Sequence, residues 1–524
     1  MSLKPTGNQP IPPKTNLPQS PPLQAEKQTS PSTEIAKGII GAPKGGELDR
    51  NSIESARQEV NHYLDQLEES GLFSGFVSVA VGDIEISRSI QTTQDQSPFE
   101  ANTLFNSCSV SKMLTAIAIY QLVQGGKIKL DETLDKYLTP EDVKEVYDSH
   151  EENSSLTSSM QKIKVKQLLN HTAGVTGEGA PHIFEPEQIG HHHYSNLGFN
   201  LLAKIIAKHS DHRSFQSHIQ KEIFAKATMK DAGGYAEKPN IDSLPKQMTQ
   251  LPSGETKLID RQSSTPMDDE RGRGNGCWEM STEDWMNFSK AIRHGPFSSY
   301  FEQMQTNLVP AENGLYASGL EVHPVDHGRI LGHDGNSPGA SAGFYLLEQK
   351  GKPPMTIVAL SNFGQGRGGQ AALEIAQALA GKKISVPLQQ AGKLHACYQK
   401  FSKQENLEGL EEQLGDLMAM PNMKPDYIME MASEAIRDKN FQFGNAVIQY
   451  LSSSTPERVV EWQHRFGLAL LEYGKDDLFY LKEAHKNLEA AKNDQNVKDD
   501  IEFIKASEEA LLKVKEAINH LTKV

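Results

Sequence analysis

The chain has 524 residues, 37% of them hydrophobic and 23% charged, which is room for a large core and about three domain-sized units. A net charge of −15 and a pI of about 5.7 leave no global basic field, so neither nucleic acid nor anionic lipid is an expected partner. The longest strongly apolar run, around 113–123, falls short of the about 20 residues that a bilayer span needs, so no membrane span is expected.

Residues 1–48 carry Pro5, Pro10, Pro12, Pro13, Pro18, Pro21, Pro22, Pro31 and Pro43 among Gln, Ser, Thr and Lys. That composition cannot bury enough apolar surface to offset the entropy of ordering, and a disordered tail is predicted. The opening MSLKPTGNQPIPPK shows no apolar signal core. Cys108, Cys277 and Cys397 are too few and scattered for a disulfide framework, so a cytoplasmic location is the expectation. From Asn51 a helix is predicted over SIESARQEVNHYLDQLEES. Alternating strands FSGFVSVAV and IEISRSI follow, meeting at Gly82-Asp83 in a hairpin.

In 99–138 the small polar residues Asn106, Ser107, Cys108 and Ser109 run straight into a helix. Met113, Leu114, Ile117, Ala118 and Leu122 recur at its spacing, and Gly125-Gly126 closes it. The stretch 110–310 is rich in helices and loops. Short strands return at meander spacing over 314–363 as LYASGLEV, RILGH, AGFYLLEQ and MTIVALSNF. An antiparallel sheet is thus built from both ends of a domain over 49–384, with a helical subdomain inserted between. From about 385 the apolar spacing is helical throughout, and stacked helical hairpins are predicted over 385–524. Ala446 with Tyr450, and Ala484 with Leu488 and Ala491, resemble tetratricopeptide helix pairs.

The chemistry concentrates at Ser109-Val110-Ser111-Lys112. Three residues is about one helical turn, so Lys112 lies on the same face as Ser109. A serine hydroxyl needs a base to become a nucleophile, and a lysine kept neutral by burial can be one. This S-x-x-K word and its surroundings, FNSCSVSKMLTAIAIYQLVQGGKIKLDETLDKYL, resemble the serine β-lactamase-related family: class C β-lactamases, D-amino-acid peptidases, DD-carboxypeptidases and their esterase relatives. Similar words follow in order, LLNHTAGV, YSNLGFNLLAKII, GCWEMSTEDW, GHDGNSPGASAGFYL and IVALSNF, so the resemblance covers roughly 50–380. It implies an α/β (α+β) β-lactamase/penicillin-binding-protein-like fold, an antiparallel sheet flanked by helices with an inserted helical subdomain. The nucleophile would lie at their junction, and the helical spacing beyond about 385 adds an all-α module.

The resemblance also implies roles. Tyr194-Ser195-Asn196 matches the Y-x-N motif. Tyr194 would take the Ser109 proton and pass it to the leaving group, as a unit with Lys112 that leaves the base open between the two. Asn196 would hold Lys112 or a substrate amide. His333-Asp334-Gly335 stands in the place of K-T-G. Gly335 lets backbone approach the substrate, and the Asn336 N–H would join that of Ser109 as an oxyanion hole. A fixed ammonium would bind a substrate carboxylate, whereas histidine is largely neutral at pH 7. The substitution therefore shifts the expectation from β-lactams to esters and amides.

Other candidate residues carry blander readings. Gly339-Ala340-Ser341-Ala342-Gly343 satisfies G-x-S-x-G, yet a strand-like run follows where a nucleophile elbow needs a helix, so Ser341 is read as a turn or strand residue. Sequential histidines such as His191-His192-His193 rarely converge on one ion, and they are read as an active-site rim or a solvent-facing loop. His171 is a structural histidine below the site, and Cys108 a packing residue. No metal or organic cofactor is expected. The reading is a serine hydrolase forming an acyl-enzyme from a small-molecule or peptide ester or amide. Its rivals are a retired scaffold that recruits a protein through 385–524, and a β-lactamase or DD-peptidase.

Overall fold

The computed structural model describes residues 50–82, 84–92, 98–146, 159–176, 183–234, 244–259, 274–276, 278–311, 314–384, 388–404, 406–420, 423, 425–494, 497–498 and 500–522. The tail over 1–48, Asp83 of the hairpin, Cys277 and much of the 236–275 loop lie outside the described residues. Helix α1 (Arg50–Ser70) leads into strands β1 (Gly75–Val81) and β2 (Ile84–Ile90). The insertion then supplies α2 (Lys112–Gln124), α3 (Asn196–His209) and α4 (Thr282–Arg293). Strands β3 (Val309–Ala311), β4 (Gly314–Tyr316), β5 (Glu321–Val325), β6 (Gly328–Ser337), β7 (Ala340–Gln349) and β8 (Met355–Ser361) follow, then α5 (Arg367–Leu379).

The eight strands form one antiparallel sheet in the order β3-β4-β5-β6-β7-β8-β1-β2. The sheet is closed from both ends of the domain, since β1 pairs with β8 in the register Gly75↔Ser361. Side-chain alternation splits its residues between two cores. Phe76, Phe344, Leu346, Val358 and Leu360 face the inserted helices, packing with Met113, Trp285 and Phe288. Val77, Val79, Ile330, Tyr345 and Ile357 face α1 and α5, packing with Val60, Leu64, Ala372 and Ile375. The alternation expected of β1 is accordingly absent from its exposure. Both faces of that strand are covered, whereas edge strand β2 is largely exposed. Helix α2 likewise goes further than its apolar stripe predicts, with 112–120 buried without interruption.

Among the described residues seven α-helices follow: α6 (Gln389–Phe401), α7 (Leu410–Met418), α8 (Pro425–Arg437), α9 (Phe441–Ser454), α10 (Val459–Tyr473), α11 (Leu478–Lys492) and α12 (Ile501–Thr522). Helix α6 packs on α7, and α8 to α12 each pack on the next, around a third core whose buried residues are drawn from 394–514. Leu388, by contrast, is wholly buried in the sheet's α1/α5 core. The helical part meets the rest through Ala391 of α6, packed on that same core, and through polar contacts at the hairpin formed by Met248–Gln250 and Thr256–Leu258. Ser253 N–H donates to Glu434 Oε2 (2.9 Å), Gln399 Nε2 to Ser253 O (2.8 Å), and Arg437 pairs with Glu255 (3.0 Å). Gln365 Nε2 donates to Glu430 Oε2 (2.9 Å) beside them. Among the described residues no helix is long and apolar enough to cross a membrane.

Candidate active site

Ser109 lies in a single tight turn, Cys108–Ser111, that runs directly into α2. The turn is held from three sides. Ser107 N–H donates to Trp278 O (2.9 Å), Trp285 Nε1 to Ser107 Oγ (3.0 Å), and Cys108 N–H to Asn106 Oδ1 (2.8 Å). These bonds hold Cys108 at φ +45°, a left-handed conformation that few non-glycine residues adopt and that often marks a functional turn. Its thiol is buried against Ser337 Oγ (3.4 Å) and Ala340 O (3.6 Å), a packing position. Strand β6 crosses close behind. A Cβ on Gly335 would lie 2.7 Å from both Cys108 Cβ and Ser109 N, so only glycine allows the approach.

Lys112 is wholly buried, and its Nζ has three oxygens around it: Ser109 Oγ at 2.8 Å, Asn196 Oδ1 at 2.8 Å and the Asn275 carbonyl at 2.6 Å. As an ammonium it donates to all three. As a neutral amine it keeps the two amide acceptors and turns its lone pair to the Ser109 hydroxyl, the geometry a general base needs. Of the two uses expected for Asn196, the observed one is holding Lys112. Tyr194 is half-buried, with its ring centroid 4.9 Å from Lys112 Nζ. Asn196 opens α3, whose N-cap Ser195 accepts from Gly198 N–H. Tyr194 thus leaves the loop one residue before the N-cap.

His171 packs beneath Tyr194 with ring centroids 4.4 Å apart, as the reading of a structural histidine anticipates. His333 is enclosed. Leu331, His333 and Gly335 share the face of β6 turned to the inserted helices, but the His333 ring is 1% exposed and both nitrogens are engaged. Nε2 meets Tyr316 Oη at 2.9 Å, and Nδ1 meets the Asp334 carbonyl. Burial lowers its pKa, with Lys112 and His323 adding to the effect, and Glu321 does not reverse it. The 3.6 Å approach of Glu321 Oε1 is therefore to a neutral ring. Burial raises the Glu321 carboxyl, but His323, His333 and the Tyr345 hydroxyl outweigh it and hold the group below the usual carboxylate range. A buried, neutral and fully bonded imidazole offers no charge to a substrate carboxylate.

Residues 63–382 match the β-lactamase family, more than half of the chain. The chain belongs to the β-lactamase family. It is 27% identical over 333 residues to the Bacillus subtilis (strain 168) protein named "Putative penicillin-binding protein PbpX", spanning 60% of this chain and 74% of that one. The octameric penicillin-binding protein homologue from Pyrococcus abyssi shares the fold at a TM-score of 0.50 and 20% identity, over 66% of this chain and 81% of its own. The D-amino acid amidase from Ochrobactrum anthropi SV3 complexed with D-phenylalanine does so at 0.50 and 18%, over 63% and 100%.

In this β-lactamase-family chain Ser341 is a strand residue. It is wholly buried on β7, where its Oγ donates to Phe363 O (2.7 Å) and accepts from Gly368 N–H (2.8 Å). The three consecutive histidines diverge. His191 is exposed, His193 Nε2 meets Gln188 Oε1 (3.0 Å), and His192 packs on His171 and Tyr316. Glu321, His333 and Asp334 bring one ligand-type atom each within 4.8 Å of one another. Those of Glu321 and His333 are already spent on hydrogen bonds. Asp334 N–H and His323 take the Glu321 oxygens, and the Asp334 carbonyl takes His333 Nδ1. Three residues beside the site escaped the sequence reading. Tyr316 and Glu321 were absorbed into one strand, LYASGLEV, although its Ser318-Gly319 dipeptide is a turn signal that splits it and sets the two opposite each other. The Asn275 carbonyl carried no sequence signal at all.

Proposed function

We propose that the chain is a serine hydrolase that forms an acyl-enzyme on Ser109 and acts on uncharged esters or amides. The observation that carries this reading is the wholly buried Lys112 Nζ, 2.8 Å from Ser109 Oγ. With Asn196 and the Asn275 carbonyl taking its two N–H donors, neutral Lys112 accepts the hydroxyl proton as Ser109 attacks the carbonyl carbon. The proton then passes through Tyr194 to the leaving alkoxide or amine. Water attacks the ester in the reverse sense, with the Lys112–Tyr194 pair taking its proton and returning it to Ser109. General acid–base assistance of this kind contributes about 10²–10⁴-fold.

The oxyanion would be met by the Ser109 and Asn336 N–H groups. Asp334 N–H donates to Glu321 on β5, away from β7, and strand alternation sends the Asn336 N–H to that same side. Substrate charge follows from position 333. Hydrogen bonds to charged groups contribute about 1.5–3 kcal/mol, so a carboxylate that meets no ammonium there forgoes roughly one to two orders of magnitude. The helical part braces the 248–258 hairpin in this reading, which leaves its outer face for a protein partner.

A fluorophosphonate probe with the modified residue mapped tests the nucleophile. Ser109→Ala should take no label, and Ser341→Ala should label at the wild-type rate. Matched esters with and without an acyl-side carboxylate, run beside a cephalosporin reporter, test the charge preference. A reporter turned over faster than the neutral ester would refute it.

A further inference from the structure

We propose that His171 and Tyr316 are positioning residues, a buried chain from the Ser195 N–H through His171 and Tyr316 to His333 that holds Tyr194 and Asn196 at Lys112. The inference rests on the acyl-enzyme reading and assigns its machinery a support beneath the reacting groups. His171 grips the Y-x-N turn on both sides of Tyr194. Its carbonyl accepts from His193 N–H (2.8 Å) and its Nδ1 from Ser195 N–H (3.1 Å), while its ring lies against Tyr194 and, at 5.1 Å, Phe199. The residue holds a left-handed backbone at φ +58° to do so.

Donor bookkeeping fixes the protons along this chain. Because Nδ1 of His171 accepts, a neutral ring carries its proton on Nε2, which faces Tyr316 Oη at 3.2 Å. The phenol oxygen accepts that proton's bond and donates its own hydrogen to His333 Nε2 at 2.9 Å. His333 then carries its proton on Nδ1, which donates to the Asp334 carbonyl beside Glu321. One arrangement satisfies every nitrogen and oxygen, and it requires both rings to be neutral. A proton added to His171 Nδ1 would face the Ser195 N–H donor and break the grip on the turn. One added to His333 Nε2 would face the phenol hydrogen.

The surroundings favour the neutral state. Lys112 on α2, His192, His333, Tyr194 and Tyr316 surround His171. Burial lowers its pKa well below the ordinary value, with Lys112, His192 and His333 adding to that. His333 faces Glu321 and His323 on β5, Tyr316 on β4, Lys112 on α2 and Tyr194. Only Glu321 and the Asp334 carbonyl favour its charged form, and burial outweighs them.

The test uses the full-length chain and separates rate from amplitude. Tyr316→Phe keeps the ring and deletes the oxygen that joins the two imidazoles. Fluorophosphonate should still titrate one site per folded chain, with its rate constant and kcat down by about 10- to 100-fold and KM little changed, the scale of a sub-ångström misplacement. His171→Asn sets an amide oxygen where Nδ1 accepts from the Ser195 N–H and should retain more activity than His171→Gln, whose amide lies one methylene beyond that point. A variant in which fewer sites label, each at the wild-type rate, shows a merely structural role and overturns the proposal, as does an unchanged rate in Tyr316→Phe. Labelling of Ser109→Ala would instead overturn the acyl-enzyme reading itself.

Discussion

Replacing Gly335 with alanine puts a methyl group where the structure has no room for one. Its Cβ would lie 2.7 Å from Cys108 Cβ, 2.7 Å from Ser109 N and 2.9 Å from Ser107 O, whereas ordinary contacts begin near 3.4 Å. Strand β6 and the Ser109 turn must therefore separate by roughly 0.7 Å. Two of those three atoms are backbone, and the Cys108 side chain is boxed in by Ser337 and Ala340, so no rotamer change relieves the clash. Overpacking of this kind costs about 1–3 kcal/mol, which lowers Tm by roughly 2–10 °C in a unit of this size. The displacement falls on the gap between the Ser109 N–H and β6, where the proposed oxyanion forms. Losing an oxyanion donor costs about 10²–10³ in kcat, and a shift that stretches it should cost about 10² with KM little changed. Steady-state kinetics on a neutral ester beside thermal melts measure both effects. Gly332→Ala is the comparison, because its Cβ would strike Phe344 O at 1.9 Å within the sheet. It should cost more stability and less activity per folded molecule. Gly335→Ala with kcat within about threefold of wild type and Tm moved by less than about 1 °C would refute the reasoning.

Other outcomes follow from buried polar groups and from the domain edge. Ser341→Ala should leave labelling of Ser109 intact yet cost about 1–3 kcal/mol in melts, because the Phe363 carbonyl and the Gly368 N–H lose their shared partner. His218 is held down to about 4, chiefly by burial, from an ordinary 6.5. The unfolded chain binds its proton first, so the stability this neutral ring contributes is complete above pH 6.5 and is lost as pH falls towards 4. Wild type should therefore lose about 2–3 kcal/mol relative to His218→Gln over that window, and parallel stability–pH curves would contradict it. Leu388→Ala should cost about 2–5 kcal/mol and be felt in the unfolding of the sheet rather than of the following helices, since Leu388 is wholly buried in the α1/α5 core and its N–H donates to Glu374 Oε2 (2.9 Å).

The sequence by itself determined the features that depend on near neighbours in the chain. One helical turn carries Ser109 to Lys112, so their meeting needs only the turn and helix that the local pattern encodes. The strand period and turn residues exposed a sheet assembled from both ends of a domain, and helical spacing marked the chain beyond 385. Tertiary structure decided what those elements present to one another. That His333 lies under Tyr194 with both nitrogens engaged depends on the register of β6 and on Tyr316 arriving across the β4–β5 turn, and no local pattern contains either. The same holds for the Asn275 carbonyl on Lys112 and for Glu434 on Ser253, contacts spanning 163 and 181 residues. Hydrophobic period says which face of an element is buried. The partner that buries it, and hence the charge and proton positions in a site, emerges only when distant segments exclude water together.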